Sequence, residues 1–228
     1  SERRRPEPRL RERDEWLRLF FEAPLIGMAM VSPQRQWLEV NFKLCQILGR
    51  NRDELRASHW LEITHPQDIE REEALFAAIC SSERDDYELE KRFLRKDGSI
   101  VYARLSLRAV RDPDGQLEAC LALVEDITAR HEAEARYRTL LEHAPEAILL
   151  FSPDGGIIDA NANALRLFRC SRAELIGRKP TELSPPHQAD GSPSEPVGRL
   201  HMEAAIAGET PVFEWLHRDL GGRLPPCV

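Results

Sequence analysis

Residues 87–126 have the sequence YELEKRFLRKDGSIVYARLSLRAVRDPDGQLEACLALVED, and their periodicity indicates the fold class. Apolar and polar residues alternate through the first two thirds, which is the period of a strand with one buried face. Asp97-Gly98 and Asp114-Gly115 each predict a tight turn, and residues 117–124 are apolar on both faces, as in a central strand. The stretch therefore predicts three long antiparallel strands.

The residues before this stretch predict two short strands and several helices. Apolar runs at 25–31 and 37–40 flank the polar residues 32–36, which is the pattern of a β-hairpin. Asn41 follows where a helix N-cap belongs, because its side-chain oxygen can accept from free amides of the first turn. Residues 66–80 have a helical pattern. The unit is therefore expected to be α+β, with a five-stranded antiparallel sheet.

Four landmarks of this unit recur further along the chain, 120 positions later or, for the first pair, 121. The pairs are Phe21-Glu22-Ala23-Pro24 with Glu142-His143-Ala144-Pro145, Ser32-Pro33 with Ser152-Pro153, Asn41 with Asn161, and residues 52–55 with residues 172–175. Two similar units are predicted, and the shift in offset predicts a one-residue gap between them. The expected organisation is a helical extension at 1–15, a first domain at 16–128, a linker helix at 129–143 and a second domain at 144–228.

Composition excludes several classes of protein. The net charge is −7, the wrong sign for a dedicated nucleic-acid-binding face, and acidic residues interrupt the Arg-rich start. No apolar run approaches the ~18 residues of a membrane-spanning helix. The five cysteines are scattered without zinc-type spacing, which predicts no metal site and suits reduced thiols in the cytoplasm. The sequence has no nucleophile–base set or phosphate loop, so no catalytic residues are expected.

The chain resembles the PAS sensor family in its bacterial form. The first unit matches at Asn41, residues 60–68 (WLEITHPQD), Arg95-Lys96-Asp97-Gly98 and Val124-Glu125-Asp126-Ile127-Thr128; the second matches at Asn161, Gly177, Glu214-Trp215 and Gly221-Gly222. The segment at 124–128 is similar to the ending with which the family leaves its sheet and enters a signalling helix. The resemblance therefore makes Asp126, Ile127 and Thr128 the expected signalling junction.

This resemblance implies two PAS-like domains, each a five-stranded sheet with short helices on one face, joined by a signalling helix. Aligning Arg218 with Arg95 brings Val228 opposite Leu105, so the second domain is expected to be incomplete at its C-terminal strands. The implied function is the sensory or regulatory input of a larger signalling protein, with a downstream histidine kinase or cyclic-dinucleotide enzyme. The alternative is a ligand-free dimerisation or scaffold module, or part of a transcription regulator.

A small-molecule ligand would be expected between the inner sheet face and the short helices. The pocket candidates are Met28, Met30, Asn41, Trp60, Ile79, Phe93, Leu105 and Leu121, with Asn41 and Trp60 as polar contacts. A filled core without a ligand is the equally weighted alternative. Haem and flavin are not expected. His65-Pro66 is interpreted as a loop-to-helix junction, which leaves His201, on a predicted helix, as the haem-ligand candidate, and the Asn-Cys-Arg-Phe segment of flavin photosensors does not occur. The cofactor is left open.

Residues 127–143 predict one continuous helix between the units, since they contain no glycine or proline. Within and just after it, Ala133, Tyr137, Leu140 and Ala144 recur at a spacing that suits contact with a partner helix. Leu10, Leu17 and Phe21 form a similar stripe in a helix predicted over residues 9–22. These stripes predict a parallel homodimer through both helices. The alternative is a rigid spacer whose stripe packs against the chain's own sheets.

Overall fold

The computed structural model of this chain describes residues 8–224, with side chains from residue 15 onwards. Residues 1–7 of the predicted N-terminal extension, the side chain of Leu10 and residues 225–228 lie outside the described residues. The chain divides into two compact units, of which the first ends at Ala133 and the second begins at Glu134. Within the described part, no helix has the length and apolar character needed to cross a membrane.

The first unit contains one five-stranded antiparallel sheet, as predicted. In chain order its strands are β1 (Gly27–Val31), β2 (Trp37–Val40), β3 (Asp86–Leu94), β4 (Ile100–Arg111) and β5 (Leu117–Asp126). Their spatial order is β2-β1-β5-β4-β3. The central strand is therefore β5, which explains why residues 117–124 are apolar on both faces.

Four α-helices precede β3 in the described part of this unit: α1 (Pro8–Phe21), α2 (Phe42–Leu48), α3 (Arg52–Arg56) and α4 (Pro66–Cys80). Local sequence explains where they begin. Asn41 caps α2 by accepting from the backbone N–H of Leu44 at 2.9 Å, and Asn51 forms a capping box with Glu54 at the start of α3. The left-handed Gly49, with φ of 63°, ends α2.

One face of the sheet carries the core of the first unit. Ala29 of β1 and its partner Ala122 of β5 are buried in this core, as are Phe76 and Ile79 of α4. Alternation along the strands fixes which neighbours share that face. The core therefore lies between the sheet and the helices that cover it.

Three residues predicted for this inner face lie on the opposite one. Met30 pairs with Leu121, and Met28 precedes the core residue Ala29, so all three alternate with inward-facing positions. Met28 is buried on its own side, whereas Leu121 is 38% exposed. The prediction that Met28, Met30 and Leu121 line an interior pocket is wrong, because a strand that is apolar at consecutive positions does not reveal which face is inward.

Helix α5 (Thr128–His143) follows β5 after a single residue. It is one continuous helix over the span predicted from the absence of glycine and proline. The boundary between the two compact units, at Ala133 and Glu134, falls within it.

The second unit repeats the first half of the first unit. It contains β6 (Leu149–Phe151), β7 (Ile157–Ala160), α6 (Ala162–Phe168), α7 (Arg172–Leu175) and α8 (Ser194–Ile206), and its sheet is the antiparallel pair β6-β7. A small core forms around Ile157, Phe168 and Leu175. From the end of α8 to residue 224, the last one described, no strand forms. The two-stranded sheet agrees with the expectation that this domain is incomplete at its C-terminal strands.

Candidate functional site

The interior of the first unit contains a buried ion pair that the sequence analysis missed. Glu72 of α4 and Lys91 of β3 are only 2% and 3% exposed, and the ammonium of Lys91 contacts the Glu72 carboxylate. Lys91 also donates to the hydroxyl oxygen of Thr64 at 2.7 Å. This hydroxyl in turn donates to the backbone carbonyl of Trp60 at 2.9 Å. The pair ties the long helix of this unit to its sheet from within the core.

Burial sets the electrostatics of this pair. Desolvation lowers the pKa of Lys91 to about 8, against the opposing attraction of Glu72. Desolvation likewise raises the pKa of Glu72, against the opposing attraction of Lys91. The Lys91 ammonium lies 4.1 Å from the ring centroid of Phe93 and 5.3 Å from that of Trp60, so aromatic faces compensate part of its lost hydration. Both charges are held in a site that penalises charge.

A cavity of about 20 Å³ lies beside the ion pair. Its wall consists of Val31, Trp37, Trp60, Glu72, Lys91, Phe93, Leu105, Leu107, Ala122 and Val124. A volume of this size holds about one water molecule. Three of the predicted pocket residues, Trp60, Phe93 and Leu105, therefore meet at one site, while Ile79 lies in the surrounding core.

Two residues of this wall carry unsatisfied donors. Among the side chains that the structure describes, the indole N–H groups of Trp37 and Trp60 are buried without a hydrogen-bond partner. Both residues are nearly fully buried, at 5% and 4% exposure. An unpaired buried donor is costly, and a bound water molecule or small ligand is one way to satisfy it.

The predicted role of Asn41 as a polar contact for a ligand is wrong. Its side-chain oxygen accepts from the backbone N–H groups of Met28 and Leu44, both at 2.9 Å. Its amide nitrogen donates to the carbonyl oxygens of Phe21 at 2.8 Å and Ile26 at 2.9 Å. Because an Asn side chain has two lone pairs and two N–H groups, nothing is left for a ligand. Asn41 instead fastens the end of α1 to the sheet and to α2.

We call this attachment the first clamp, and define it by Asn41, Glu22 and Arg52. The carboxylate of Glu22, just beyond α1, accepts from the backbone N–H of Phe42 at 3.0 Å and also pairs with Arg52. The first residue after α1 is thereby held at the start of both α2 and α3. The clamp fixes where the flanking helix ends relative to the first unit.

The second unit holds the end of α5 in the same way. In this second clamp (Asn161, Glu142 and Arg172), Asn161 donates to the carbonyl of Leu141 at 3.0 Å, and its oxygen caps α6. Glu142 accepts from the N–H of Ala162 at 2.9 Å and pairs with Arg172 at 2.6 Å. The second clamp therefore binds the last turn of α5.

The two clamps match residue for residue at an offset of 120. Glu22 is equivalent to Glu142, and both clamp asparagines follow at the same interval. The offset of 121 and the one-residue gap predicted for the first pair of landmarks are therefore wrong. Pro24 and Pro145 resemble each other in sequence but do not occupy equivalent positions.

The junction residues attach the beginning of α5 to β4. The backbone N–H of Ile127 donates to the carbonyl of Tyr102 at 2.9 Å, and the hydroxyl of Thr128 accepts from the N–H of Tyr102 at 3.1 Å. The Tyr102 ring stacks on His131, with centroids 3.7 Å apart. Asp126 caps the turn by accepting from the N–H of Thr128 at 2.9 Å.

Arg95 connects this junction to the helical side of the unit. Its guanidinium lies 3.6 Å from the carboxylate of Asp126 and donates to the carbonyl of Ile47, near the end of α2, at 2.8 Å. The junction residues therefore contact both the sheet and the end of α2.

The apolar stripe of α5 is open to solvent within this chain. Tyr137 is 51% exposed and Leu140 is 68% exposed, and Ala133 is also exposed. Leu141 of this helix is buried, and its backbone carbonyl accepts from Asn161 of the second unit. Tyr137 and Leu140 are therefore not packed on the two-stranded sheet of their own unit.

His201 lies on α8, where it was expected. Its ring stacks on Phe213, with centroids 3.7 Å apart, and meets Trp215 edge-on at 6.1 Å. The structure thus places His201 in an aromatic cluster of the second unit. Over the described residues, no group of three or more His, Cys, Asp or Glu side chains is arranged to hold a metal ion.

Comparison with known families gives two matches, both to models described as PAS fold. One covers residues 38–124 and the other residues 141–227. They correspond to the five-stranded unit and to the unit that contains the second clamp. The chain is thus built of two tandem sensor domains. It belongs to the PAS family.

Two curated proteins show what kinds of protein contain similar segments. The chain is 34% identical over 146 residues to the probable diguanylate cyclase DgcE of Escherichia coli (strain K12), a match that covers 64% of this chain and 13% of that protein. It is 37% identical over 144 residues to the protein CrtJ of Rhodobacter capsulatus, covering 58% of this chain and 30% of that protein. The chain thus spans less than a third of either relative.

Among solved structures, an RNA-binding light-oxygen-voltage receptor has the same fold. It aligns with a TM-score of 0.50 and 17% identity, over 61% of this chain and 40% of that one. At this level of identity the similarity concerns the fold alone. The PAS domains identified here are sensor modules of signalling proteins.

Proposed function

We propose that this chain is the sensory or regulatory input module of a larger signalling protein, and that α5 transmits conformational change toward a downstream effector. The observation that carries the proposal is that α5 is fastened at both ends. Tyr102, Thr128 and His131 hold its first turn to β4, and the second clamp holds its last turn.

Attachment of this kind converts a small change in a sheet into movement of a helix. Val124 of β5 lines the interior cavity and lies two residues before Asp126. A shift of β5 would therefore displace the start of α5, which is hydrogen-bonded to the neighbouring strand. A switch of this type requires two arrangements of similar free energy, and a solvent-exposed helix with a short apolar stripe is suited to that.

The downstream effector is proposed to be a cyclic-dinucleotide enzyme, with a histidine kinase as the other candidate. The similarity to a probable diguanylate cyclase supports the first choice. The full-length gene product should convert GTP into a cyclic dinucleotide, and this chain alone should leave GTP and ATP unchanged. Turnover of either nucleotide by the repurified chain would contradict the proposal that catalysis belongs to a separate effector domain. Autophosphorylation of the full-length protein would favour the histidine kinase as that effector.

The chain is further proposed to form a parallel homodimer through α1 and α5. Trp16, Leu17 and Phe20 of α1 are largely exposed, as are Tyr137 and Leu140 of α5. Such apolar stripes are typical of helices that pair with a second helix. Under oxidation, Tyr137→Cys should cross-link two chains, while Ala135→Cys, on a different side of α5, should not. Equal cross-linking at both positions would argue against a defined pairing.

For the first unit we propose two alternative roles, as a ligand-binding domain or as a ligand-free scaffold. A small ligand in the interior is supported by the cavity and its two unpaired indole donors. A ligand-free scaffold is supported by the small volume of about 20 Å³ that the packed core leaves beside the buried ion pair. A cytoplasmic location is proposed for either, because a nucleotide-using effector works there and the described cysteines are free thiols.

A further inference from the structure

The wall of the interior cavity limits the chemistry of what can occupy it. Indole nitrogens donate hydrogen bonds and accept none, so Trp37 and Trp60 both require an acceptor. The charges of Lys91 and Glu72 already compensate each other. An anion would meet the Glu72 carboxylate and a cation would meet the Lys91 ammonium, with no counter-charge left for either. Burying such an uncompensated charge is strongly unfavourable.

We propose that this cavity is a binding site for one small neutral hydrogen-bond acceptor of the size of a water molecule, held by the N–H groups of Trp37 and Trp60. The volume of about 20 Å³ sets the size. Water occupies the site when nothing else is bound. This inference deepens the ligand arm of the proposed function by naming the class of ligand, and it separates that class from organic acids, phosphates and large planar cofactors.

The position of the site connects its occupant to the signalling junction. Leu105 of β4 and Val124 of β5 both line the cavity and pair with each other across the two strands. Ala103, two residues before Leu105, pairs with Asp126. The occupant therefore touches the two strands that hold the first turn of α5.

The first test uses the unmodified chain with nitrogen-15 in its indole rings. The indole protons of Trp37 and Trp60 should show nuclear Overhauser effects to a long-lived bound water. Trp16, which is 73% exposed, is the control and should contact only fast-exchanging solvent. Absence of a bound-water signal at both Trp37 and Trp60 would overturn the proposal.

The second test asks whether the site selects by charge. Leu105→Ala removes three carbon atoms from the wall, so that, with the water displaced, a molecule of four heavy atoms should fit. Acetamide and acetate have the same size and shape but differ in charge. In this variant, acetamide should shift the indole resonances of Trp37 and Trp60 saturably, and acetate should bind at least ~10-fold more weakly, a difference of about 1.4 kcal/mol.

Equal binding of acetamide and acetate, or no binding of either to the folded variant, would contradict the proposal. If Leu105→Ala fails to fold, the bound-water measurement on the unmodified chain decides. Neither measurement reads the output of an effector. A failure of the proposed signalling function therefore leaves this inference standing, and a failure of this inference leaves the role of α5 untouched.

Discussion

Lys91 and Glu72 show how two residues can alter the character of a whole core. Each lies on the inward face of its element, where the neighbouring residues are apolar. Lys91 alternates with Leu89 and Phe93 on β3, and Glu72 lies one turn before Phe76 on α4. Removing both ions from water costs several kcal/mol per ion, which their contact offsets only in part. The stability of the first unit should therefore depend on pH through this pair.

Stability should rise with pH in the alkaline range because of Lys91. Its pKa is about 8 in the folded chain against 10.5 ordinarily, so between these values the unfolded chain holds a proton that the folded chain has lost. The free energy of unfolding should then increase with pH, by on the order of 3 kcal/mol over the whole interval. Urea unfolding at several pH values measures this, relative to the double variant Lys91→Met/Glu72→Leu.

This double variant is the appropriate reference because it removes both titrating groups and leaves no buried charge unpaired. The raised pKa of Glu72 acts in the opposite direction at lower pH, where stability should fall as pH rises above the ordinary value of 4.5. The free energy of unfolding of the unmodified chain, minus that of the double variant, should rise above pH 8. If this difference stays constant or declines there, Lys91 does not titrate as inferred.

At the scale of elements, each of the two clamps fastens the end of a helix to the unit that follows it. Asn41 and Asn51 make a direct comparison, since both cap a helix, yet only Asn41 also binds the preceding helix. Asn51→Ala should cost about 1 kcal/mol, the usual value of a cap. Asn41→Ala should cost about 2–4 kcal/mol, because it also leaves buried backbone groups unpaired. Chemical denaturation measures both, and equal losses would argue against the clamp.

The second clamp can be opened without losing the cap. Asn161→Asp keeps the oxygen that accepts from Ala164 but removes the N–H groups that bind Leu141 and Glu146. Amide hydrogen exchange in the last turn of α5 should therefore accelerate, while α6 stays protected. Asn51→Asp adds the same charge at a helix cap that has no hydrogen bond to a preceding helix, so it should leave amide hydrogen exchange in α5 unchanged. Unaltered exchange in α5 after Asn161→Asp would mean that the clamp does not hold the helix.

Sequence periodicity predicted most of these elements but not their interior contacts. The alternation around Leu89 and Phe93 predicts the strands correctly, and the recurrence of Asn41 as Asn161 predicts the two similar units correctly. The inward position of Lys91 was visible in the same alternation, as a charged residue in an apolar register. Its partner was not, because the two residues are 19 positions apart on different elements. The alternation also could not show which face of the sheet Met30 lies on. The neighbouring strand β5 is apolar on both faces, so the pattern does not identify the core-facing side.

At the scale of the whole molecule, α5 is the element proposed to carry the signal. The helix begins at the junction of the first domain and ends in the second clamp, and the relatives of this chain are several times longer than the matched segment. These observations support a module that passes a signal along a helix to a further domain. A helix that transmits by rotation or register is sensitive to its phase, whereas a passive spacer is not.

The decisive measurement is the effector rate of the full-length protein after insertions following Ala133. One added residue turns the rest of the helix by ~100°, whereas seven added residues lengthen it but change its phase by only ~20°. The one-residue insertion should change the rate several-fold, and the seven-residue insertion should leave it close to that of the unmodified protein. Unchanged rates with both insertions would contradict transmission through α5 and show that the helix is only a spacer.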